Sequence, residues 1–245
     1  MVQGAESSMI ASPAALDRKL PSWGAQVLGV LHKDLLLELR TGEVVVTSGF
    51  FALLVVILAS LAFFGGPATG RIVASGVIWI ALAFAAVLSL GKTWQREREE
   101  AALDGLLIAP IKRSAIFAGK ASGVCLFLFV VALVVVPVTA LLFALDLTRV
   151  GCGLALFALA AIPGIAASGT LFGAMTVRTG ARDLLLAIVL FPLLSPTLLS
   201  AVAGTRELLG GASLGELLDY FKLIGIFDLV FITGGLALFG TLIER

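Results

Sequence analysis

Read for hydropathy, the chain is a series of long apolar runs separated by short polar breaks. Six runs stand out, at 44–65, 72–91, 121–145, 150–177, 184–204 and 223–243. A helix rising 1.5 Å per residue needs about 20 mostly apolar residues to cross roughly 30 Å of hydrocarbon, and each run supplies that. The first five contain no charged residue, and the sixth contains only Asp228. The runs are continuous and do not alternate, which disfavours a membrane β-barrel. The predicted fold class is therefore all-α, a polytopic membrane protein with six transmembrane helices. The fourth run is long for one straight crossing and contains Pro163 and Gly164, so a kink or an extension beyond the bilayer is expected there. Pro192 and Pro196 interrupt the backbone hydrogen bonding of the fifth, and neighbouring helices are expected to satisfy the freed groups.

Ahead of the first run, Leu28, Leu31, Leu35 and Leu39 recur at helical spacing, while Lys33, Asp34, Glu38 and Arg40 fall outside that stripe. This predicts an N-terminal amphipathic helix within 22–42, lying in the membrane interface. The plainer alternative is a polar lead-in to the first span. Residues 1–21 have no sustained apolar stretch and carry their basic pair, Arg18 and Lys19, late. They read as a flexible cytoplasmic tail and not as a secretory signal, with 22–245 forming one membrane domain.

Composition supports the pattern. Of 245 residues, 60% are hydrophobic and 13% charged, with a mean hydropathy of +1.11, against about 25% charged in soluble domains. That is too little charge to cover a water-soluble globule. Seventeen basic against sixteen acidic residues provide no basic field for nucleic acid, so the lipid bilayer is the expected medium and nucleic acid is excluded as a partner. The basic residues divide thirteen to four between the two sides. The richer side holds both termini and the second and fourth loops, which the positive-inside rule assigns to the cytoplasm.

The second loop carries the clearest polar signal. Arg96, Glu97, Arg98, Glu100 and Asp104 continue the second helix outward, and Glu97, Glu100 and Asp104 fall on one acidic face. Leu106, Leu107 and Pro110 follow before the third span starts. A solvated helix with weak i,i+4 pairs explains the charges, but nearly thirty residues is long for a simple connection. The extra length suggests a docking surface for a cytoplasmic partner. The external loop 205–222 reads either as a plain polar loop or as a short helical hairpin dipping into the interface.

Several sites are excluded. Gly91-Lys92-Thr93 resembles the end of a phosphate loop, but Ala86 stands where its first glycine belongs and no strand leads in. The chain is expected to bind no nucleotide, so ATP-driven work would fall to a partner. The one histidine, His32, lies in the N-terminal lead-in, and Cys125 and Cys152 sit in apolar stretches. No catalytic residue, metal site or bound cofactor is expected. Asp228 reads as an interfacial cap near Gly225, or as a partner of Arg149 or Arg206. The pairs Gly119/Gly123 and Gly169/Gly173 allow close helix approach, and with Pro163, Gly164, Pro192 and Pro196 they are the expected helix-packing positions.

The stretch Ala74–Ile80, the loop ending in Leu103–Pro110, and Ala118-Gly-Lys120 resemble the haem exporter protein B (CcmB) family. So do Ile162-Pro-Gly-Ile, Gly169–Val177, Arg178-Thr-Gly180 and Leu190–Pro196. Ala101-Ala102 depart from that family's pattern, where Gly-Ser or Gly-Thr is usual before the leucines. The resemblance implies the membrane permease subunit of a type-2 class ABC transporter for cytochrome c maturation, in a bacterial inner membrane. ATP would be hydrolysed by a separate subunit, CcmA, docked on the second loop. The haem-handling subunit CcmC, the small CcmD and the haem chaperone CcmE are the other implied partners, with haem as cargo. The chain would couple ATP hydrolysis to haem export or to release of the loaded chaperone. A type-2 permease for another cargo (lipid, polysaccharide or drug) and an ATPase-independent channel or scaffold are the alternatives.

Overall fold

The computed structural model describes residues 21–63, 66–99, 105, 108–176 and 182–243. Among these, seven helices carry the fold: α1 (Trp23–Thr41), α2 (Glu43–Ala62), α3 (Pro67–Glu99), α4 (Arg113–Leu142), α5 (Leu147–Thr176), α6 (Arg182–Gly210) and α7 (Leu218–Ile243). Helices α2 to α7 are each long and apolar enough to cross a membrane. The tail assigned to 1–21 lies outside the described residues except for Pro21.

Every span but the first outruns its apolar stretch, because hydrocarbon sets the length of the apolar run but not of the helix. The 33 residues of α3 extend about 50 Å, so its last turns project past the bilayer. Helix α5 passes Pro163 without interruption. In α6 the carbonyl freed by Pro196 is that of Pro192, four residues back. The Ser195 hydroxyl donates to it at 2.7 Å. At Pro196 the help expected from a neighbouring helix is thus supplied locally. The connection between α6 and α7 is shorter than the sequence suggested and is not a hairpin. Gly211 turns the chain at φ +101°, and Ser213 Oγ donates to Glu216 Oε1.

Helix α3 is the most buried of the spans, packed against α2, α4, α5 and α6, while α2 and α7 are the least covered. The Trp79 indole N–H donates to Thr205 Oγ1 at 2.9 Å, joining α3 to α6 inside the core. Phe157 stacks on Phe221 at 4.3 Å between α5 and α7. The belt facing outward is apolar, with Phe50, Leu61, Leu133, Leu141 and Leu199 all exposed. In water so large an apolar surface would aggregate, whereas lipid is its matching solvent.

Helix α1 differs from a simple interfacial amphipath. Its leucines at 28 and 39 point outward, as expected, but the opposite face is not in water. Gln26, Val30, Asp34 and Glu38, spaced by four, are buried against the bundle. Glu38 accepts from the amides of Val44 and Val45 at 3.2 and 2.8 Å, capping the next helix across the turn at Gly42, whose φ of +63° suits glycine. Replacing Glu38 with alanine is expected to cost about 0.5–2 kcal/mol. Faster hydrogen exchange at residues 44–47 would show that the loss is at this cap.

Candidate functional site: a buried charge cluster at the α1 end of the bundle

Four charged side chains from three helices meet where α1 packs on α4 beside the last turns of α3. Lys120 of α4 is 1% exposed. Its Nζ lies 2.6 Å from Glu97 Oε1 and 3.1 Å from Asp34 Oδ2. Lys33 reaches the same two acids, 2.6 Å from Glu97 Oε1 and 3.0 Å from Asp34 Oδ1. Two cations and two carboxylates make a neutral group. That neutrality allows its burial, because an unpaired charge in this setting would cost several kcal/mol. The Trp94 ring, 5.7 Å from the Lys120 ammonium, adds a cation–π contact. Burial pulls the Lys33 ammonium down, but Asp34 and Glu97 outweigh it and hold the group above the ordinary lysine value.

A second set borders the first. Arg96 donates to Glu38 at 3.4 Å, to Glu43 at 3.2 Å and to the Thr41 hydroxyl at 2.7 Å. Lys92 donates to Glu43 at 2.7 Å. Lys92, Arg96 and Glu97 of α3 thereby hold α1, the start of α2 and the start of α4 together. The packing beneath is equally close. Gly119 sits under Val30, and a Cβ there would lie 2.6 Å from the valine Cβ and 3.0 Å from the Val27 carbonyl. Gly123 faces Asp34 and Leu31.

The sequence placed Arg96 and Glu97 on an exposed docking helix with Arg98, Glu100 and Asp104. Arg96 and Glu97 instead point into the bundle, and Glu97 is 4% exposed. Arg98 belongs to the last turn of α3. Glu100, Asp104, Leu106 and Leu107 lie outside the described residues, and Pro110 is exposed just before α4. Lys120 and Asp34, which centre the cluster, were read only as loop and lead-in charges. The signal for Lys120 was its position, a lone cation inside the apolar sequence from Ile116 to Cys125.

The remaining positions are distributed through the bundle. Gly169 faces Leu90 and Gly173 faces the Trp94 indole, so both lie between α5 and α3. Pro163 and Gly164 mark the contact of α5 with α7, where the Asp228 carboxyl lies directly against Gly164. Among the described residues Asp228 makes no ion pair with an arginine: its carboxyl lies against Gly164, Arg149 pairs with Asp146 at 3.2 Å and Arg206 is exposed. Pro192 is exposed and Pro196 half-buried within α6.

Six membrane-length helices, with a buried charge cluster at the α1 end, define a multi-pass α-helical membrane protein. The profile of the family described as CcmB protein matches residues 25–240. The chain belongs to that family. It is 31% identical to heme exporter protein B of Rhodobacter capsulatus over 173 residues, 69% of this chain and 78% of the relative. It is 27% identical to heme exporter protein B of Bradyrhizobium diazoefficiens over 184 residues, 74% of this chain and 82% of the relative.

Proposed function

We propose that this chain is the permease subunit of an ATP-driven haem exporter in a bacterial inner membrane, serving cytochrome c maturation. Its family and the names of its relatives support haem as the cargo. In this reading the α1 end of the bundle and both termini face the cytoplasm. An ATPase subunit, CcmA, docks on the segment from Arg98 to Pro110, using Glu100, Asp104, Leu106 and Leu107. CcmC, CcmD and CcmE complete the assembly. The chain itself hydrolyses no ATP and ligates no haem iron, so His32→Ala, Cys152→Ala and Tyr220→Phe each leave maturation intact.

The observation that carries the coupling is the ion cluster. Arg96 and Glu97 lie in the last turns of α3, the helix that leads into the docking segment, and are tied to α1, α2 and α4. A push on the end of α3 would be passed through those pairs to three other helices at once, tilting the second and third spans. Haem export or release of the loaded chaperone would follow that movement.

The test is complementation of a deletion strain, read by haem staining of c-type cytochromes, alongside co-purification of the ATPase. Glu100→Lys with Asp104→Lys should abolish ATPase binding and staining while leaving the protein in the membrane, because a partner surface reads the sign of charge. Normal binding and staining would move the docking face elsewhere. Orientation has its own check in a background lacking Cys125 and Cys152. Single cysteines at Ser8 and Ala101 should resist an impermeant thiol reagent in intact cells, and one at Ser213 should react.

A further inference from the structure

An open groove of about 450 Å³ runs between α1, α4, α5 and α7. Its walls include Leu31, Phe117, Ala121, Phe129, Pro163 and Leu236, with hardly any polar surface. The volume falls within the roughly 300–1,000 Å³ usual for small-molecule sites. Along α4 it extends from Phe117 to Phe129, about 18 Å of helix at 1.5 Å per residue. Half of a hydrocarbon core roughly 30 Å thick is about 15 Å, so the groove traverses one leaflet, the one on the α1 side. An open apolar groove of that volume, running that length along α4, suits a single acyl chain.

The mouth has a head-group chemistry of its own. The N-termini of α1 and α4 converge there: the Trp23 indole N–H donates to Ser114 Oγ at 3.1 Å, and the Lys112 amide donates to Gln26 Oε1 at 2.9 Å. Both helices direct the positive ends of their dipoles to this point. The Lys112 side chain is exposed beside it, and Arg113 lies against Gly240 of α7 on the other flank. Residues 21–32 and 108–127 contain no acid. A similar groove of about 370 Å³ between α4 and α5 lies in the opposite leaflet. The Asp146–Arg149 pair at that end of the bundle is already neutral.

The geometry points to a bound anionic phospholipid, with one acyl chain in the groove and its phosphate at the mouth by Lys112 and Trp23. Trp23 also provides the readout, since it is 43% exposed while Trp79 and Trp94 are 2% and 1% exposed. Full-length protein in nanodiscs is titrated with phosphatidylglycerol or phosphatidylcholine brominated on the acyl chain, and tryptophan quenching is followed. One basic residue near the surface favours the anionic lipid about fivefold, so phosphatidylglycerol should quench at correspondingly lower mole fraction. Lys112→Glu should remove that preference. Ala121→Phe, which narrows the groove at a half-buried wall position, should weaken quenching by both lipids without lowering the unfolding temperature. Equal quenching by both lipids, or wild-type quenching in either variant, overturns the proposal. So does loss of quenching when a second copy or a partner helix associates, because that occupant would then own the groove.

Discussion

Lys120→Met should destabilise the protein by about 3–5 kcal/mol, the largest single effect expected in the chain. The ammonium it removes is 1% exposed and stands between two buried carboxylates, Asp34 and Glu97. Deleting one member of a buried ionic group leaves the others uncompensated where water cannot reach them, which is the origin of that magnitude. Lys33 would remain, but it is already shared between the same two acids and is partly exposed, so it cannot neutralise both. Thermal unfolding of the purified protein in detergent would show the loss. The second half of the test is compensation. Lys120→Met combined with Glu97→Gln leaves one cation for one acid, Lys33 with Asp34 at 3.0 Å, and most of the stability should return. If the double variant is no better than the single one, the effect is lost packing of the lysine stem and not charge imbalance. Lys33→Met should cost less than Lys120→Met, because solvent screens the site it vacates.

The six spans were legible because lipid imposes a simple rule on sequence. A run of about 20 apolar residues with almost no charge has few other solutions. The contact glycines were legible for a similar reason, since two small residues four apart mark a face on which backbones can meet. What the sequence did not show was partnership. Asp34 and Glu38 look like the wet face of α1, yet their cations, Lys120 and Arg96, are 86 and 58 positions away. Periodicity along one helix assigns polar residues to the polar side. It has no means of saying that the polar side is the inside. The same blindness put Glu97 in solvent with Glu100 and Asp104: i, i+3, i+7 spacing identifies a shared face without identifying what covers it. Asp228 was misplaced because its neighbour is a glycine. No charge pattern reveals a carboxyl that fits where Gly164 has no side chain.

Glycine-to-alanine substitutions should split by sign according to what each new methyl group would meet. A Cβ on Gly173 would run into the Trp94 indole, and one on Gly169 into Leu90. Both lie in the buried seam between α5 and α3, where Trp94 is also held against Phe239 and the Lys120 ammonium. Overpacking of this kind costs about 1–3 kcal/mol, so Gly173→Ala should lower the unfolding temperature. Gly76 and Gly225 meet nothing within 4 Å. Alanine there gains the helix propensity that glycine lacks, up to about 1 kcal/mol, so these two variants should be neutral or slightly more stable. A double-mutant cycle separates the clash from any intrinsic preference for glycine. Trp94→Leu shortens the obstructing side chain, and in its presence Gly173→Ala should cost clearly less than it does alone. An unchanged cost would mean that the α5 backbone, and not the indole, requires glycine at 173. The close α3–α5 seam that supports the ion cluster would then rest on something other than the fit of Trp94.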